Sequence, residues 1–267
     1  MPGTPPRVRV MGIVNVTPDS FSGDGQLVGR TMERGQEAAV GHGLALHAAG
    51  ADLVDVGGES TRPQHQPVPA SEELRRVLPV VRALAEQGCA VSVDTSKAAV
   101  AGPALDAGAV MVNDVWGLQR DPEIATLVAG HDAELVVMHN QHGTAYARDL
   151  LEEILCRLRA AVDVAVRAGV PRGRVIVDPG LGFGKTAKQN VVVLRRLGEL
   201  RALDQPILVG ASRKGFLERL FGQPMERRVW GTAAAVTASV LRGASLVRVH
   251  DVGAMRDVVR VAEALRD

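Results

Sequence analysis

Aromatic residues are scarce. The 267-residue chain holds one Tyr, two Trp and four Phe, 3% in all, so a core built from its 46% hydrophobic content is aliphatic. Charge of either sign is not in excess. A formal net charge of +1 gives no general attraction to nucleic acid or to a membrane surface. Cysteine is limited to Cys89 and Cys156, with no metal or redox spacing between them, which suits buried thiols in a reducing compartment. No apolar run approaches membrane length, and no charged stretch followed by an apolar one opens the chain. A cytoplasmic protein is expected. Lysine is rare as well: Lys97, Lys185, Lys188 and Lys214 stand among 31 cationic residues, so a Lys inside a glycine-rich loop draws notice.

What is present is a repeating alternation. The stretch Arg174 to Lys185, RVIVDPGLGFGK, sets its form. Val175, Ile176 and Val177 are β-branched, too few for a helix and apolar on both faces, as in a strand buried in a parallel sheet. Asp178 ends the strand, Pro179 stops the ladder, and Gly180, Gly182 and Gly184 allow sharp bends. A nucleotide P-loop is not supported, because GxxxxGK[ST] requires glycine where Pro179 stands.

The same unit recurs along the chain. Strands are predicted at Val8–Val16, Asp52–Val56, Ala90–Val93, Val110–Val112, Leu135–Met138, Val175–Val177, Ile207–Val209 and Leu246–Val249. Helices are predicted between them, with Ser71 a candidate N-cap of the second, one helix over Gln189–Leu200, and another over Glu226–Arg242. Eight strand–helix units in a chain of this length predict a single (β/α)8 TIM barrel over residues 8–267, preceded by a disordered tail over residues 1–7. A doubly wound open sheet is the runner-up, but no GxGxxG follows the first strand.

In a parallel barrel the carboxyl ends of all strands meet at one mouth. The residues there are Asn15, Asp55 with Glu59, Asp94, Asn113, His139, Asp178, Lys214, and Arg248 with His250. Acids and amides at so many strand ends suit a flat polar heterocycle whose N–H edges need acceptors. Asp94, Asn113 and Asp178 fit that task. Arg248 and His250 alternate along the eighth strand and so point the same way, and with Asn15 they form an anion pocket. Ser212, Arg213 and Lys214 fall where a helix is predicted to begin, another place that attracts anions.

The segments MGIVNVTPDSFS, DVGGESTRP, SVDT, VNDVWG, DPGLGFGKT, LVGASRK and RVHDV together resemble the dihydropteroate synthase family, in order and over almost the whole chain. The resemblance implies condensation of 7,8-dihydropterin-6-ylmethyl diphosphate with 4-aminobenzoate, giving 7,8-dihydropteroate and pyrophosphate. It implies that Asp94, Asn113, Asp178, Lys214 and Arg248 hold the pterin, with Met138 packed near it. Asn15, Arg248 and His250 would hold the diphosphate, with Asn15 also a Mg²⁺ ligand. Thr61, Arg62, Pro63, Phe183, Ser212, Lys214 and Gly215 would surround the aminobenzoate. Asp94, Asp178, Lys214 and Asn15 would be the catalytic set. Asp24 and Arg62 would close over the reacting centre, and two copies would form a homodimer. The chain departs from the family pattern twice: Ser20–Gly25 reads SFSGDG where SFSDGG is usual, and Gln64 replaces a glycine. A pterin-dependent methyltransferase barrel and a non-catalytic pterin-binding relative are the alternatives. The SRK and RVHDV segments, with their anion-binding character, count against the first.

Overall fold

Short runs of Val, Ile and Leu become strands because each packs apolar side chains on both faces. The computed structural model describes residues 7–17, 25–27, 31–60 and 67–266. Its strands are β1 (Arg9–Asn15), β2 (Leu53–Gly57), β3 (Val91–Asp94), β4 (Met111–Asp114), β5 (Glu134–Met138), β6 (Val175–Asp178), β7 (Leu208–Val209) and β8 (Leu246–Val249). The helices are α1 (Met32–Ala48), α2 (Ala70–Glu86), α3 (Ala98–Asp106), α4 (Glu123–Gly130), α5 (Leu150–Arg167), α6 (Ala187–Arg195), α7 (Phe216–Phe221), α8 (Arg228–Leu241) and α9 (Val252–Ala264). All ladders are parallel, in the order β6-β5-β4-β3-β2-β1-β8-β7. A single bridge from Val177 to Ile207 brings the two ends together. The fold is the expected (β/α)8 barrel.

Several boundaries differ from the sequence prediction. Ser71 does not cap α2. The helix starts one residue earlier, behind Pro69, whose carbonyl accepts from the N–H groups of Glu72 and Glu73. The helix predicted over Gln189–Leu200 is α6, which starts earlier with a Thr186–Gln189 capping box and ends at Arg195, followed by a 3₁₀ turn over Leu197–Leu203. The tighter turn contains Gly198, a residue that weakens an α-helix interior. β7 is two residues long. Of the expected tail, residues 1–6 lie outside the described residues, while the Arg7 guanidinium pairs with Asp52 at 3.3 Å.

Strand alternation sorts the barrel interior into levels. Met11, Leu53, Met111, Val136, Ile176, Leu208 and Leu246 form one buried aliphatic plug. Below it Arg9 and Glu134 make a two-pronged ion pair across the barrel, at 2.6 and 2.8 Å. Two residues further along β2, β4, β6 and β8 the positions in step with the plug turn polar, at Asp55, Asn113, Asp178 and Arg248, and Asp94 ends β3 beside them, while Ile13 and Met138 keep β1 and β5 apolar. The plug therefore sets the floor on which the polar mouth stands. The larger aliphatic core lies outside the strands, under the helices.

Candidate active site

Asp55 is the hub of the mouth. It is fully buried on β2, and its Oδ2 accepts from Asn113 Nδ2 at 3.0 Å and from Arg248 Nε at 2.6 Å. The second arm of Arg248 donates to Asp94 Oδ2 at 2.7 Å. Strands β2, β3, β4 and β8 are thus tied by one ionic network. Asn113 spends one of its two amide N–H donors on Asp55, which orients the amide and leaves its carbonyl oxygen and second N–H for a ligand. The sequence placed Asp55 at this mouth but gave it no role. Its alternation with Leu53, an interior plug residue, was the available signal.

The network changes the expected picture of Arg248. Arg248 and His250 were expected to face one anion. In the structure Arg248 turns to the acids Asp55 and Asp94. His250 instead lies with Ser212: Oγ is 2.8 Å from Nδ1, and the His250 backbone N–H donates to the same oxygen at 3.1 Å. The helix expected to begin near Ser212 starts at Phe216 and has six residues. Arg213, in the left-handed region at φ 52°, donates to both oxygens of Asp251.

Asp178 closes the ring on the far side. Its Oδ1 accepts from the Gly180 N–H at 2.7 Å. Gly180 has φ +72°, and a Cβ there would lie 2.0 Å from the His139 carbonyl oxygen, so glycine is required. Met138 pairs with Asp178 across the ladder and is buried. Lys214 sits with Nζ 4.4 Å from the centre of the Phe183 ring. Gly215 is the residue directly before α7.

Burial shifts the charges of these groups. Asp94 is pushed up to about 7 by burial, with Arg248 opposing and Asp55, Glu73 and Asp114 adding. Asp178 is pushed up to about 6 by burial, opposed by the Gly180 N–H and by Lys214, Lys185 and Arg248. Lys214 is brought down to about 8 by burial and by Arg248, with Asp178 and Asp94 opposing. Lys214 thus feels both acids at once.

A cleft of about 780 Å³ opens over Asp94 and runs past Lys97, Trp116 and Asn140 to Phe183. The Arg120 guanidinium lies 3.9 Å from the Trp116 ring centre. Lys97 pairs with both Glu59 and the buried Glu73, fixing the start of the loop after β2. Asn15 ends β1, where its carbonyl accepts from the Gln26 N–H at 2.9 Å. Asp24, Thr61, Arg62, Pro63 and Gln64 lie outside the described residues.

Residues 11–250 match the model of a family described as pterin binding enzyme. The dihydropteroate synthase of Mycobacterium leprae is 46% identical over 96% of this chain and 93% of its own. The chain belongs to the dihydropteroate synthase family. Solved members superpose over more than nine-tenths of their length. The Clostridium difficile synthase, crystallised in the presence of pteroic acid, gives a TM-score of 0.90 at 42% identity, covering 99% of both chains. The Xanthomonas albilineans synthase with 4-aminobenzoic acid gives 0.89 at 43%, covering 97% of this chain and 93% of that one. Barrel enzymes in general keep their active sites at the carboxyl ends of the strands, the end at which this network stands.

Proposed function

We propose that this chain condenses 7,8-dihydropterin-6-ylmethyl diphosphate with 4-aminobenzoate. The methylene C–O bond breaks, the arylamine nitrogen forms the new C–N bond and loses a proton, and 7,8-dihydropteroate and pyrophosphate leave. The observation that carries this reading is the Asp94–Arg248–Asp55–Asn113 network, which presents acceptors on one side of a mouth that Asp178 and Lys214 complete on the other. Family relatives crystallised with pteroic acid and with 4-aminobenzoic acid support the same substrates.

Asp94, the Asn113 carbonyl and Asp178 accept from the N–H edges of the pterin, with Met138 packed beside it. Fixed carboxylates stabilise positive charge that develops at the methylene as diphosphate departs. The arylamine is neutral at pH 7, so a covalent enzyme intermediate is unnecessary. Phe183, Lys214, Gly215 and Ser212 line the aminobenzoate side, with Thr61, Arg62 and Pro63 contributed by the second loop. His250 and Asn15 receive the diphosphate. Arg248, held by its two acids, serves the pterin side and also lends its charge to the diphosphate. Asp24 is assigned to closure of the first loop.

Asn15 would hold Mg²⁺. It offers one neutral amide oxygen from a backbone position fixed by Gln26, and Mg²⁺ takes most of its ligands from phosphates and water, so the donor fits. The ion would supply neutralisation of the leaving diphosphate.

A homodimer is the oligomer this surface supports. Trp230 is 69% exposed on α8, with Leu241 on the same helix and Phe221 on α7 also exposed. Among the described residues no helix is long and apolar enough to cross a membrane. Cys89 is buried as expected, whereas Cys156 is exposed on α5; both are free thiols, which supports a cytoplasmic site of action.

One assay separates this function from a methyltransferase or a binding protein. Purified protein with Mg²⁺ and the pterin diphosphate releases pyrophosphate only when 4-aminobenzoate is added. Release independent of the arylamine, or none, refutes the reading.

A further inference from the structure

Lys185 is buried beside the mouth, and its ammonium is fully used by the protein. Nζ lies 3.0 Å from His139 Nδ1, from the Gly180 carbonyl and from the Phe183 carbonyl. In its protonated form the amine has three N–H donors, one for each of these partners; burial, with Lys214 adding and Asp178 opposing, brings Lys185 down to about 7. His139 must present a lone pair at Nδ1. Burial, with Lys185 and Arg157 adding, brings the ring down to about 3 and keeps it neutral, as this contact requires.

The three partners come from two neighbouring elements. His139 directly follows β5, while Gly180 and Phe183 belong to the loop after β6. Each loop partner governs one wall of the mouth. Gly180 donates its N–H to Asp178, the pterin-side acid. Phe183 carries the ring against Lys214, on the arylamine side, and its N–H donates to the Gly180 carbonyl at 3.1 Å. Tyr146 braces the clasp from outside: its ring stacks on His139 with centroids 6.0 Å apart, and its hydroxyl donates to the Gly184 carbonyl at 2.8 Å.

We propose that Lys185, seated on His139, is a positioning residue that sets the distance between the pterin wall at Asp178 and the arylamine wall at Phe183. It touches neither substrate. It fixes two backbone carbonyls whose residues do. This rests on the substrate assignment given above, but the clasp itself is a property of the loop.

The test is Lys185→Met, which keeps an unbranched side chain one atom shorter and removes the amine donors. Its thermal midpoint, kcat, arylamine KM and calorimetric pterin Kd are measured against the parent enzyme. The clasp predicts that arylamine KM and pterin Kd both rise, by about tenfold or more, because small displacements of positioning groups are costly. His139→Leu reproduces the effect. His139→Asn, which keeps an acceptor near Nδ1, restores most of it. The double variant Lys185→Met/His139→Leu is no worse than either single one, since both cut the same contact. A space-filling role would lower the thermal midpoint and leave both constants unmoved. A folded Lys185→Met enzyme with both constants within about twofold of the parent overturns the proposal. If Lys185→Met does not fold, the two His139 variants decide it: equal constants in His139→Leu and His139→Asn overturn it. Failure of the parent to release pyrophosphate would strike the substrate assignment alone, because pterin Kd still reads the clasp.

Discussion

Arg248 bridges two carboxylates, Nε on Asp55 at 2.6 Å and the second arm on Asp94 at 2.7 Å. Asp55 also orients Asn113. Asp55→Ala should therefore weaken pterin binding although Asp55 is not itself a substrate contact in this account. Charge-assisted hydrogen bonds contribute on the order of 1.5–3 kcal/mol each, so a loss of at least tenfold in Kd is expected. Titration calorimetry with a pterin measures it. Parent-like affinity would show that Arg248 and Asn113 hold their places unaided.

Asp178→Asn replaces an oxygen acceptor with an amide that can present an N–H to the ligand. One accepted bond from the pterin is lost and the Gly180 contact is put at risk. Pterin Kd should rise by on the order of 1.5–3 kcal/mol, with circular dichroism unchanged. An unaltered Kd would remove Asp178 from the pterin site.

Activity should be bell-shaped in pH. Asp94 and Asp178 have folded values raised to about 7 and about 6, so each carboxylate is lost as pH falls through those values. The acid limb of kcat/KM should lie between them, shared by the two acids. Lys214, lowered to about 8, loses its charge above that value and gives the alkaline limb. The same acids make folding less favourable as pH rises from about 4 to about 7, because the unfolded carboxyl ionises first. Pyrophosphate release from pH 5 to 10 is the measurement, and a level profile across that range would contradict the burial argument.

The interior plug makes a stability prediction independent of chemistry. Ile176 is fully buried among Met11, Leu53, Met111, Val136, Leu208 and Leu246. Ile176→Ala should cost about 2–5 kcal/mol of folding stability, measured by denaturant titration. A cost below about 1 kcal/mol would mean that the plug collapses around the gap.

Trp230→Lys should yield a monomer if α8 forms the proposed dimer seam, since it sets a charge at the centre of an apolar contact. Sedimentation velocity reads the result. A parent protein that already sediments as a monomer would end the homodimer reading.

The barrel was legible in the sequence because each strand is a short β-branched run closed by a polar residue, and because eight such runs fit one chain of this length. Alternation also told which residues face the mouth: Arg248 shares its inward parity with Leu246. What alternation does not tell is which neighbour a long side chain chooses. Arg248 and His250 share a face, yet one finds two acids and the other finds Ser212. Helix ends depart from the sequence pattern where backbone chemistry outweighs side-chain preference. Pro69, with its fixed φ, starts α2 ahead of the polar Ser71. The Lys185–His139 contact joins residues 46 apart, and only the unusual rarity of lysine hinted that Lys185 had a task.

The strand ring is not equally strong all round. Seven of its eight joints are registered ladders, but β6 meets the next stave through one bridge, Val177 to Ile207, and β7 itself has two residues. Amide exchange at 207–209 should therefore be the fastest of any strand, and the cylinder should yield there first under heat or denaturant. Asp178 and Lys214 stand on opposite sides of that thin seam. These two side chains of the candidate site are mounted where the hoop can give a little without tearing a long row of backbone pairs.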